Sequence, residues 1–451
     1  MATGKKLILV VIDGLTPEVF EDAVETGNAP ALSFLAANGT YGRGVSTFPS
    51  LTPVCLSSIA TGAHPDVHRI PHLVWWNRAE RRLIEYGSSF AAIRAAGTRR
   101  AILDAIFNMN EQHLGKDAVT VYEALDGAGL TTAAVNITCY RGGTPHRSLL
   151  PGLTRRAYGP KQFFYYSLFE SEVTGAPVAV FGRATGSIDA YAAFVGRWLV
   201  TRDGFDLLVY YLPDYDFASH ALGPGGTQEA LARSDAAIGA LIEAAGGPDE
   251  FLGRYAVVVC SDHGQTRVER VVSLQPAYAG VDGVLIAASN RAGMVYRLDG
   301  CREDAAALAR RLDGHAGAEV VLYREDGEAV ARREGEELRF ARDGSGPGSW
   351  RTTGDRALLD QPDALERAWA ALNNPNAGDL LVSPPAGVEL ADLAGRSHLG
   401  GGSHGSLDAG DSEVPMLTVG LDAEPVRRIV DLAPLALRHF GVRLPAYADA
   451  A

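Results

Sequence analysis

Acidic and imidazole side chains follow three short apolar segments of the sequence, at the point where each segment ends. They are Asp13 after residues 7–12, Asp214 and Asp216 after residues 206–212, and Asp262 and His263 after residues 255–260. If the segments are parallel strands of one open sheet, their carboxyl ends meet at the edge where ligands bind. Clustered carboxylates repel one another in a site of low dielectric constant, and a divalent cation would relieve that repulsion. One Asp after a strand is more often a helix cap or turn residue, so the predicted metal site depends on all three segments.

Histidines extend this set of candidate metal ligands. Asp216 and His220 are four residues apart, a spacing that places both on one face of a helix. Asp262 and His263 are adjacent and would be two ligands on one tight turn. His404 lies in a glycine-rich segment, where the backbone is free to place a side chain, although a lone histidine in a loop is more often not a ligand. Mixed Asp and His ligands suit zinc or a similar metal better than Ca²⁺.

Thr52 is the candidate nucleophile. It precedes Pro53, and proline is favoured at the first position of a helix, so Thr52 is predicted to be a helix N-cap. The free N–H groups at a helix N-terminus attract anions such as phosphate. A cation beside Thr52 would lower the pKa of its hydroxyl and make the alkoxide accessible. Taken alone, the motif is explained more simply by a structural cap, and the neighbouring ligands are what favour catalysis.

The elements that must position these residues alternate between apolar strands and amphipathic helices. Strands are predicted at residues 7–12, 131–138, 206–212 and 255–260, and helices at residues 118–129, 188–200 and 228–245. Strands that are apolar throughout and are separated by helices indicate a parallel sheet covered on both faces. The sequence therefore predicts an α/β fold with a doubly wound, mostly parallel sheet flanked by helices.

The pattern changes near Gly293, where shorter strands surround one helix. We interpret residues 293–377 as a small α+β insertion between two parts of a catalytic core, residues 1–292 and 378–451. The second part is predicted to contain core strands at 379–382 and 414–420 and a last helix at 426–440. The less regular segments 70–116 and 141–184 are cap-like. Together with the insertion, they are expected to form the walls of a substrate pocket.

The overall composition limits the class of protein. Hydrophobic residues make up 47% of the 451 residues, enough for a substantial core, and the formal net charge is −13. That negative charge argues against a nucleic-acid groove, and four cysteines without a CxxC pair argue against a disulfide scaffold. No segment is long and apolar enough to cross a membrane. A cytoplasmic protein is expected, unless an export signal preceded this sequence, and no oligomeric state is indicated.

Together these motifs resemble the alkaline phosphatase superfamily and, within it, the type I phosphodiesterase/nucleotide pyrophosphatase family. The segment from Phe48 through Thr52 to His68 is similar to that family's nucleophile segment. Three further motifs resemble its metal-binding segments in the same order along the chain: Asp216 with His220, Asp262-His263-Gly264, and Ser403-His404-Gly405. The set reaches from Asp13 to His404 and is highly specific.

The resemblance implies an alkaline-phosphatase-like fold and a metal-dependent hydrolase of phosphoric esters with two divalent ions, zinc with manganese as the alternative. One ion would be held by Asp216, His220 and His404. The other would be held by Asp13, Asp262 and His263, with the Thr52 hydroxyl as a further ligand. Asp214 matches less well and is expected to orient a ligand. Thr52 would attack phosphorus and form a covalent phospho-threonine that water then hydrolyses.

Two departures from the family pattern leave the substrate open. The family's phosphodiesterases carry an Asn close after the nucleophile that contacts a phosphate oxygen, and here Cys55 lies in a stretch without Asn. An aromatic residue that helps stack a nucleobase is replaced by Pro53. The contact to the phosphate oxygen is then expected from a backbone N–H, Asn136 or Arg141. Further candidates for substrate contacts are Trp75, Trp76 and Tyr140.

The predicted function is hydrolysis of a small-molecule phosphate diester or pyrophosphate. A phosphonate hydrolase or phosphomonoesterase of the same superfamily would share metals and nucleophile and differ only in the pocket. A phosphomutase is also compatible with the superfamily, although the Thr52 segment favours a hydrolase. A sulfatase is disfavoured because no Cys/Ser-x-Pro-x-Arg segment occurs. The alternative outside enzymes is a catalytically silent metal-binding scaffold, which the presence of every expected ligand argues against.

Overall fold

The computed structural model of the protein describes residues 4–88, 90–149, 154–166, 168–171, 187–344, 348–391, 397–421 and 425–449. Its centre is an eight-stranded sheet with the strand order Gly39–Val45, Glu413–Val419, Tyr255–Cys260, Lys6–Ile12, Leu207–Leu212, Thr132–Val135, Gln162–Tyr165 and Phe169–Glu170. The five strands from Tyr255–Cys260 to Gln162–Tyr165 run parallel to their neighbours, and the outer strands are antiparallel. This mostly parallel sheet confirms the predicted α/β class.

Side chains of the central strand alternate between two cores, one on each face of the sheet. Leu7, Leu9 and Val11 pack on one face, and Ile8, Val10 and Ile12 pack on the other. The helices that contribute to the first core include Thr52–Thr61, Val121–Gly127 and Leu432–His439, and those of the second include Pro17–Thr26, Pro30–Ala37, Ile188–Thr201, Gln228–Ala244 and Pro248–Arg254. Because both faces are covered, the strand sequence is apolar throughout.

The remaining described helices are short. They are the α-helices Pro65–His68, Phe90–Ala96, Thr98–Leu103, Asp214–Leu222, Ala305–Arg310, Ala364–Asn373, Ala409–Ser412 and Ala446–Asp449, the π-helix Asp104–His113, and the 3₁₀ turns Pro224–Gly226, Gln275–Tyr278, Arg356–Leu359 and Ile429–Asp431. The helix predicted at 118–129 begins only at Val121, because the side chains of Thr120 and Glu123 cap it reciprocally. In the described part of the chain, none of the helices has the length and apolar character needed to span a membrane.

A second sheet has seven antiparallel strands in the order Val284–Ser289, Ala292–Arg297, Leu380–Ser383, Val320–Glu325, Glu328–Arg333, Glu336–Arg342 and Trp350–Thr353. The strand expected to return to the core at 379–382 belongs to this sheet instead, as does Val284–Ser289 from the predicted first core part. An apolar strand pattern indicates burial but not the partner strand, which is why the strand at 379–382 was assigned to the core. The division into 1–292, 293–377 and 378–451 stays a prediction.

The cap-like segments contain short antiparallel strand pairs, and segment 70–116 also contains the helices Phe90–Ala96, Thr98–Leu103 and Asp104–His113. Val74–Asn77 pairs with Arg82–Glu85, and Thr144–Arg147 pairs with Arg156–Gly159. Of the predicted cap segment 141–184, residues 150–153, 167 and 172–184 lie outside the described residues. Two further short pairs connect loops near the sheet edge, Thr266–Arg267 with Gly402–Ser403 and Arg270–Val272 with Val388–Leu390.

Candidate active site and metal centre

The carboxyl ends of three neighbouring strands bring the predicted acidic residues together. Ile12 lies beside Leu212 in the sheet and Val11 lies beside Cys260, so the three strands end at nearly the same level. The ligand atoms of the residues that follow form two groups in which all atoms lie within 4.8 Å of one another, Asp13 with Asp262 and His263, and Asp216 with His263 and His404. His220 adjoins the second group through Asp216.

In the first group, two carboxylates converge on one imidazole. His263 Nε2 lies 3.3 Å from Asp13 Oδ1 and 3.5 Å from Asp262 Oδ2. Both oxygens are buried, and neither has a hydrogen-bond partner among the described residues. Burial, then the charges of Asp262 and Asp216, hold the pKa of Asp13 well above its usual value. Burial likewise raises the pKa of Asp262, although His263 opposes this effect. These orphaned acceptors fit a divalent cation.

In the second group, one carboxylate is surrounded by histidines. Asp216 Oδ2 lies 3.3 Å from His220 Nε2, one helical turn away in Asp214–Leu222, and Asp216 Oδ1 lies 3.9 Å from His404 Nε2. Burial raises the pKa of Asp216, but the charge and hydrogen bond of His220, with His404 and His263, outweigh burial and leave this pKa below its usual value.

The three histidines present the same ring nitrogen to the carboxylates because backbone carbonyls hold the other one. The Nδ1 atoms of His220, His263 and His404 lie 2.8, 3.0 and 2.7 Å from the carbonyl oxygens of Gly402, Gly264 and Ser50, respectively. A carbonyl oxygen only accepts, so each Nδ1 donates its N–H and each Nε2 is left for a metal. The ring centroids of His263 and His404 lie 3.6 Å apart, and burial, then the neighbouring His263, holds the pKa of His404 well below its usual value. The donor set therefore fits two divalent cations.

His404 reaches the site because a glycine-rich loop packs against the helix that carries His220. A Cβ atom at Gly401 would lie 2.0 Å from His220 O, so only glycine allows this approach. The loop is further held by the pairing of Gly402–Ser403 with Thr266–Arg267, which follows His263 closely in sequence. His404 therefore lies beside His220, although the two residues are distant in sequence.

Thr52 lies at the first turn of its helix and faces the first group. Its Oγ1 is 3.1 Å from His263 Nε2. The helix begins at Thr52 itself, and Leu51 is its N-cap with extended backbone and no side-chain capping bond. The predicted N-cap role of Thr52 is therefore wrong by one residue, because a single proline tolerates either of the first helical positions. The shift frees the Thr52 hydroxyl for contacts in the site.

Four polar residues that the sequence analysis did not select support or line the site. The hydroxyl of Tyr211 donates to Asp13 Oδ2, and the amide of Gln265 donates to Asp216 Oδ1. Ser219 Oγ donates to Gln265 Oε1 at 2.5 Å and fixes the orientation of that amide. Asn290 contacts His404 from the second sheet. The position of Gln265, directly after the Asp262-His263-Gly264 motif, was the one sequence signal that could have identified any of them.

Several residues predicted near the substrate lie elsewhere. Asp214 caps the helix Ile188–Thr201, where its carboxylate accepts from Ser187 Oγ and from Ile188 N at 3.1 Å. This capping role corrects the expectation that Asp214 orients a metal ligand. Arg141 binds Glu123 and the carbonyl oxygens of Leu114, Gly115 and Ala118, so it is part of the framework.

The other residues predicted to contact the substrate also lie outside the lining of the catalytic cavity. Trp75 and Tyr140 are buried in hydrophobic cores. Trp76 packs against one of those cores and does not line the catalytic cavity. Asn136 is buried and accepts from Tyr166 N at 3.0 Å. Cys55 is buried and contacts Ser46 Oγ at 3.2 Å. In irregular segments, the sequence alone does not show whether an aromatic or polar side chain points into the site or into the core.

A cavity of about 350 Å³ opens in front of Thr52 and the two ligand groups. Segment 70–116 contributes to its wall with Leu73, Tyr86, Ala105 and Met109, and segment 141–184 contributes Tyr165 and Tyr166. Exposed Phe217 and half-buried His398 also line the cavity, as do the polar side chains of Ser88, Thr138 and Asn290. No described lining residue is Lys or Arg, and none comes from residues 293–377. Beyond the ligand groups, the described wall is thus mainly aromatic and apolar.

The fold is that of an alkaline-phosphatase-like α/β enzyme, and two candidate metal-ligand groups lie at the edge of its central sheet. The chain matches the family model described as type I phosphodiesterase / nucleotide pyrophosphatase over residues 7–407, and it belongs to that family. This match confirms the resemblance seen in the sequence. Family and fold together support a hydrolase of phosphoric esters, or of phosphonates. No curated protein matches the chain significantly.

Solved structures with this fold include two different enzymes. Phosphonoacetate hydrolase from Sinorhizobium meliloti 1021, in complex with phosphonoformate, has 20% identity and a TM-score of 0.64, with 97% of this chain and 96% of that chain covered. Murine ectonucleotide pyrophosphatase / phosphodiesterase 5 has 14% identity and a TM-score of 0.61, with 98% and 96% covered. An inactive form of the murine protein in complex with AMP has 14% identity and a TM-score of 0.60, with 98% and 96% covered.

Proposed function

We propose that this protein hydrolyses small-molecule phosphate diesters through a covalent phospho-threonine on Thr52. Two divalent cations, zinc or alternatively manganese, would be held by Asp13, Asp262 and His263, and by Asp216, His220 and His404. The observation that carries the proposal is the position of Thr52 Oγ1, 3.1 Å from His263 Nε2. That nitrogen lies 3.3 and 3.5 Å from two buried carboxylate oxygens that have no partner among the described residues.

The reaction divides into two displacements at phosphorus. When bound, the cations would supply the positive charge that lowers the pKa of the Thr52 hydroxyl and neutralises charge on the phosphoryl group. Thr52 loses its proton to water, its Oγ1 bonds to phosphorus, and the bond between phosphorus and the leaving oxygen breaks, so that the leaving group takes the electron pair and departs as an alcohol after protonation. Water then attacks phosphorus, the bond to Thr52 Oγ1 breaks, and the hydroxyl regains a proton. Thr52 is held for both steps because it begins a buried helix.

Supporting residues keep the ligands in fixed orientations. Tyr211 donates to Asp13, and Gln265 donates to Asp216. The backbone carbonyls on the three Nδ1 atoms hold the imidazole rings with Nε2 toward the centre. Such partners of metal ligands raise the affinity for the metal and fix the ring orientation.

The described cavity wall favours a phosphoric ester with an uncharged organic group. A substrate such as phosphonoacetate carries a carboxylate, which a cationic side chain would balance, and no described lining residue is Lys or Arg. Tyr86, Tyr166 and Phe217 instead provide ring surfaces for an uncharged group. This contrast supports ester hydrolysis over carboxylate-bearing phosphonates.

The test compares bis-p-nitrophenyl phosphate, p-nitrophenyl phosphate and phosphonoacetate as substrates, with added zinc or manganese. Thr52→Ala is the blank and Thr52→Ser the matched variant that keeps a hydroxyl. We expect fastest turnover of the diester, loss of about a thousandfold or more in Thr52→Ala, and partial activity in Thr52→Ser. Acid-quenched enzyme should carry a phosphoryl adduct on the peptide that contains Thr52.

Each contrary result removes a different part of the proposal. Fast turnover by Thr52→Ala would exclude Thr52 as the nucleophile. Preference for the monoester would make the protein a phosphomonoesterase, and phosphonoacetate as the only substrate would make it a phosphonate hydrolase. Metal binding without turnover of any of the three would favour the silent scaffold.

A further inference from the structure

The second sheet sends one tight turn into the catalytic cavity. The turn joins Val284–Ser289 to Ala292–Arg297, and it carries Asn290 with a left-handed backbone, φ 55°. Asn290 is only 7% exposed and lines the cavity. The next residue, Arg291, is buried and binds Asp411 and Asp408, while its backbone N–H donates to His404 O at 2.8 Å. The turn is therefore fixed to the loop that carries His404.

The hydrogen bonds around His404 determine which atom of the Asn290 amide faces the site. His404 Nδ1 donates to Ser50 O at 2.7 Å, so in this tautomer Nε2 carries a lone pair. The Asn290 atom that lies 3.1 Å from Nε2 must then be the donor, Nδ2. The amide oxygen, Oδ1, accepts from Ser289 Oγ at 3.1 Å. The N–H₂ group of Asn290 therefore points toward the atom that is predicted to bind a metal.

A cation on His404 Nε2 would occupy the lone pair that this amide uses. In the part of the chain that the structure describes, Asn290 Nδ2 has no other acceptor. A buried donor without an acceptor is unfavourable, and the turn is too tightly held for the side chain to leave easily. In the metal-loaded protein, the amide would therefore have a free N–H directed into the cavity beside the ligand groups.

We propose that Asn290 is a catalytic residue whose side-chain amide donates a hydrogen bond to a non-bridging phosphoryl oxygen of the bound substrate. The inference rests on the proposed function, since it assumes a phosphoryl group at this centre. An amide suits this role because it is an uncharged donor in a cavity whose described wall lacks Lys and Arg. Non-bridging oxygens occur in diesters, monoesters and phosphonates alike, so the contact does not depend on the organic group.

The left-handed backbone of Asn290 allows a sharp choice of variants. Asn290→Gly removes the amide, and glycine adopts a positive φ without strain. Asn290→Asp keeps the shape and the tolerance of positive φ but replaces the donor by a carboxylate. Asp326→Gly is the matched control, because Asp326 also has a left-handed backbone, φ 51°, at the turn between Val320–Glu325 and Glu328–Arg333, far from the cavity lining.

The measurement is the affinity of the zinc-loaded protein for inorganic phosphate, by calorimetry, together with metal content by elemental analysis. We expect Asn290→Gly to retain wild-type metal content, to bind phosphate about tenfold more weakly, and to lose about a hundredfold in kcat/KM for the diester. Asn290→Asp should bind phosphate still more weakly, because its charge repels the anion. Asp326→Gly should match the wild type in all three measurements.

Two results would overturn the inference. Phosphate affinity within twofold of wild type in both Asn290 variants would make Asn290 a turn residue only. Reduced metal content in Asn290→Gly would make it a support for His404 rather than a substrate contact. Failure of the proposed function is distinguishable, because a wild-type protein that binds phosphate through Asn290 but hydrolyses no ester would remove only that function. A wild-type protein that binds no phosphate would remove both.

Discussion

The two ligand groups both combine carboxylates with imidazoles, but their charges are balanced differently. The first group is Asp13, Asp262 and His263, and the second is Asp216, His220 and His404. In the first, two buried carboxylates share one histidine, and each has an oxygen without a hydrogen-bond partner among the described residues. In the second, histidines and the Gln265 amide surround one carboxylate. Accordingly, the pKa of Asp13 is raised, chiefly by burial, whereas that of Asp216 is lowered because His220 and its neighbours outweigh burial.

This difference indicates that the two groups depend on a cation to different degrees. The protein itself compensates most of the charge of Asp216, but it leaves Asp13 and Asp262 with like charges in a buried site. The nucleophile candidate lies on the poorly compensated side, where Thr52 contacts His263. Positive charge is thus most needed where the Thr52 hydroxyl must lose its proton.

The largest expected effect comes from Asp262→Asn. If the first group holds the cation that activates Thr52, this variant should lose about a thousandfold or more in turnover of the diester. The change removes one of two carboxylates beside the nucleophile while keeping the side-chain shape. Steady-state kinetics at saturating zinc measure the effect.

Asp214→Asn is the control for that experiment. Asp214 also follows the end of a central strand, yet it caps a helix and contacts none of the ligands. Its variant should keep turnover within about tenfold of wild type per folded molecule. Equal losses in the two variants would mean that the acidic edge of the sheet matters as a whole and that the two groups are not functionally distinct.

Much of this comparison was predictable because the first ligands follow their strands directly. The strand at 255–260 was predicted with its observed bounds, and the strand at 206–212 differs by one residue. A continuous apolar run followed by Asp indicates both the strand and the edge at which it ends. The roles of the ligands, the metal identity and the cytoplasmic location stay predictions.

What the sequence did not predict depends on contacts between distant segments. Asn290 lies in a turn whose sheet was only partly recognised, and Tyr211 lies inside a strand where a buried tyrosine is ordinary core. The partner of Leu380–Ser383 is set by packing in the second sheet and not by its own apolar pattern. Local patterns identify an element and its exposed end, whereas partner strands and side-chain directions require the folded chain.

A second experiment tests the difference between the two ligand groups by measuring the stability of the metal-free protein. At a pH above the raised pKa values of Asp13 and Asp262, Asp13→Asn removes one of two buried like charges and places an amide donor near His263 Nε2. It should then raise the free energy of unfolding by about 1–3 kcal/mol. Asp216→Asn removes the carboxylate that compensates the charge of His220, so it should lower the free energy of unfolding by a similar amount. Urea unfolding in the presence of a chelator gives both values.

The comparison of the two groups requires that Asp13→Asn and Asp216→Asn change the free energy of unfolding in opposite directions. If both variants are destabilised, Asp13 has a compensating partner outside the described residues and the first group is not short of positive charge. The same variants at saturating zinc serve as the control. There both should be less stable than wild type, because each lacks a ligand and the bound metal no longer contributes its full stabilisation.

The smallest expected effect concerns a second pair of carboxylates, Asp189 and Asp214, which resembles the first group but is satisfied without a cation. Burial, then the charge of Asp214, raises the pKa of Asp189 to about 7, and Asp189 accepts from Ser234 Oγ at 2.6 Å and from Asp214 N at 3.2 Å. Since this pKa is above the value of about 3.9 in an unfolded chain, the folded state holds a proton that the unfolded state has lost. The resulting stability is complete below about pH 4 and disappears as the pH rises through about 7.

Asp189→Asn removes that titration and should change the pH profile of unfolding. Between pH 5 and pH 8, the variant should gain about 1–2 kcal/mol in unfolding free energy relative to wild type, as measured by urea midpoints at both pH values. Ser234→Ala is the control, because it removes one hydrogen bond but keeps the carboxyl group, so its profile should still fall with rising pH. Parallel profiles for Asp189→Asn and wild type would show that hydrogen bonds from Ser234 and Asp214 already keep Asp189 ionised. Burial of like charges would then be common to the first metal group and to the pair of Asp189 and Asp214. The buried oxygens without a hydrogen-bond partner would be the feature that distinguishes the metal group.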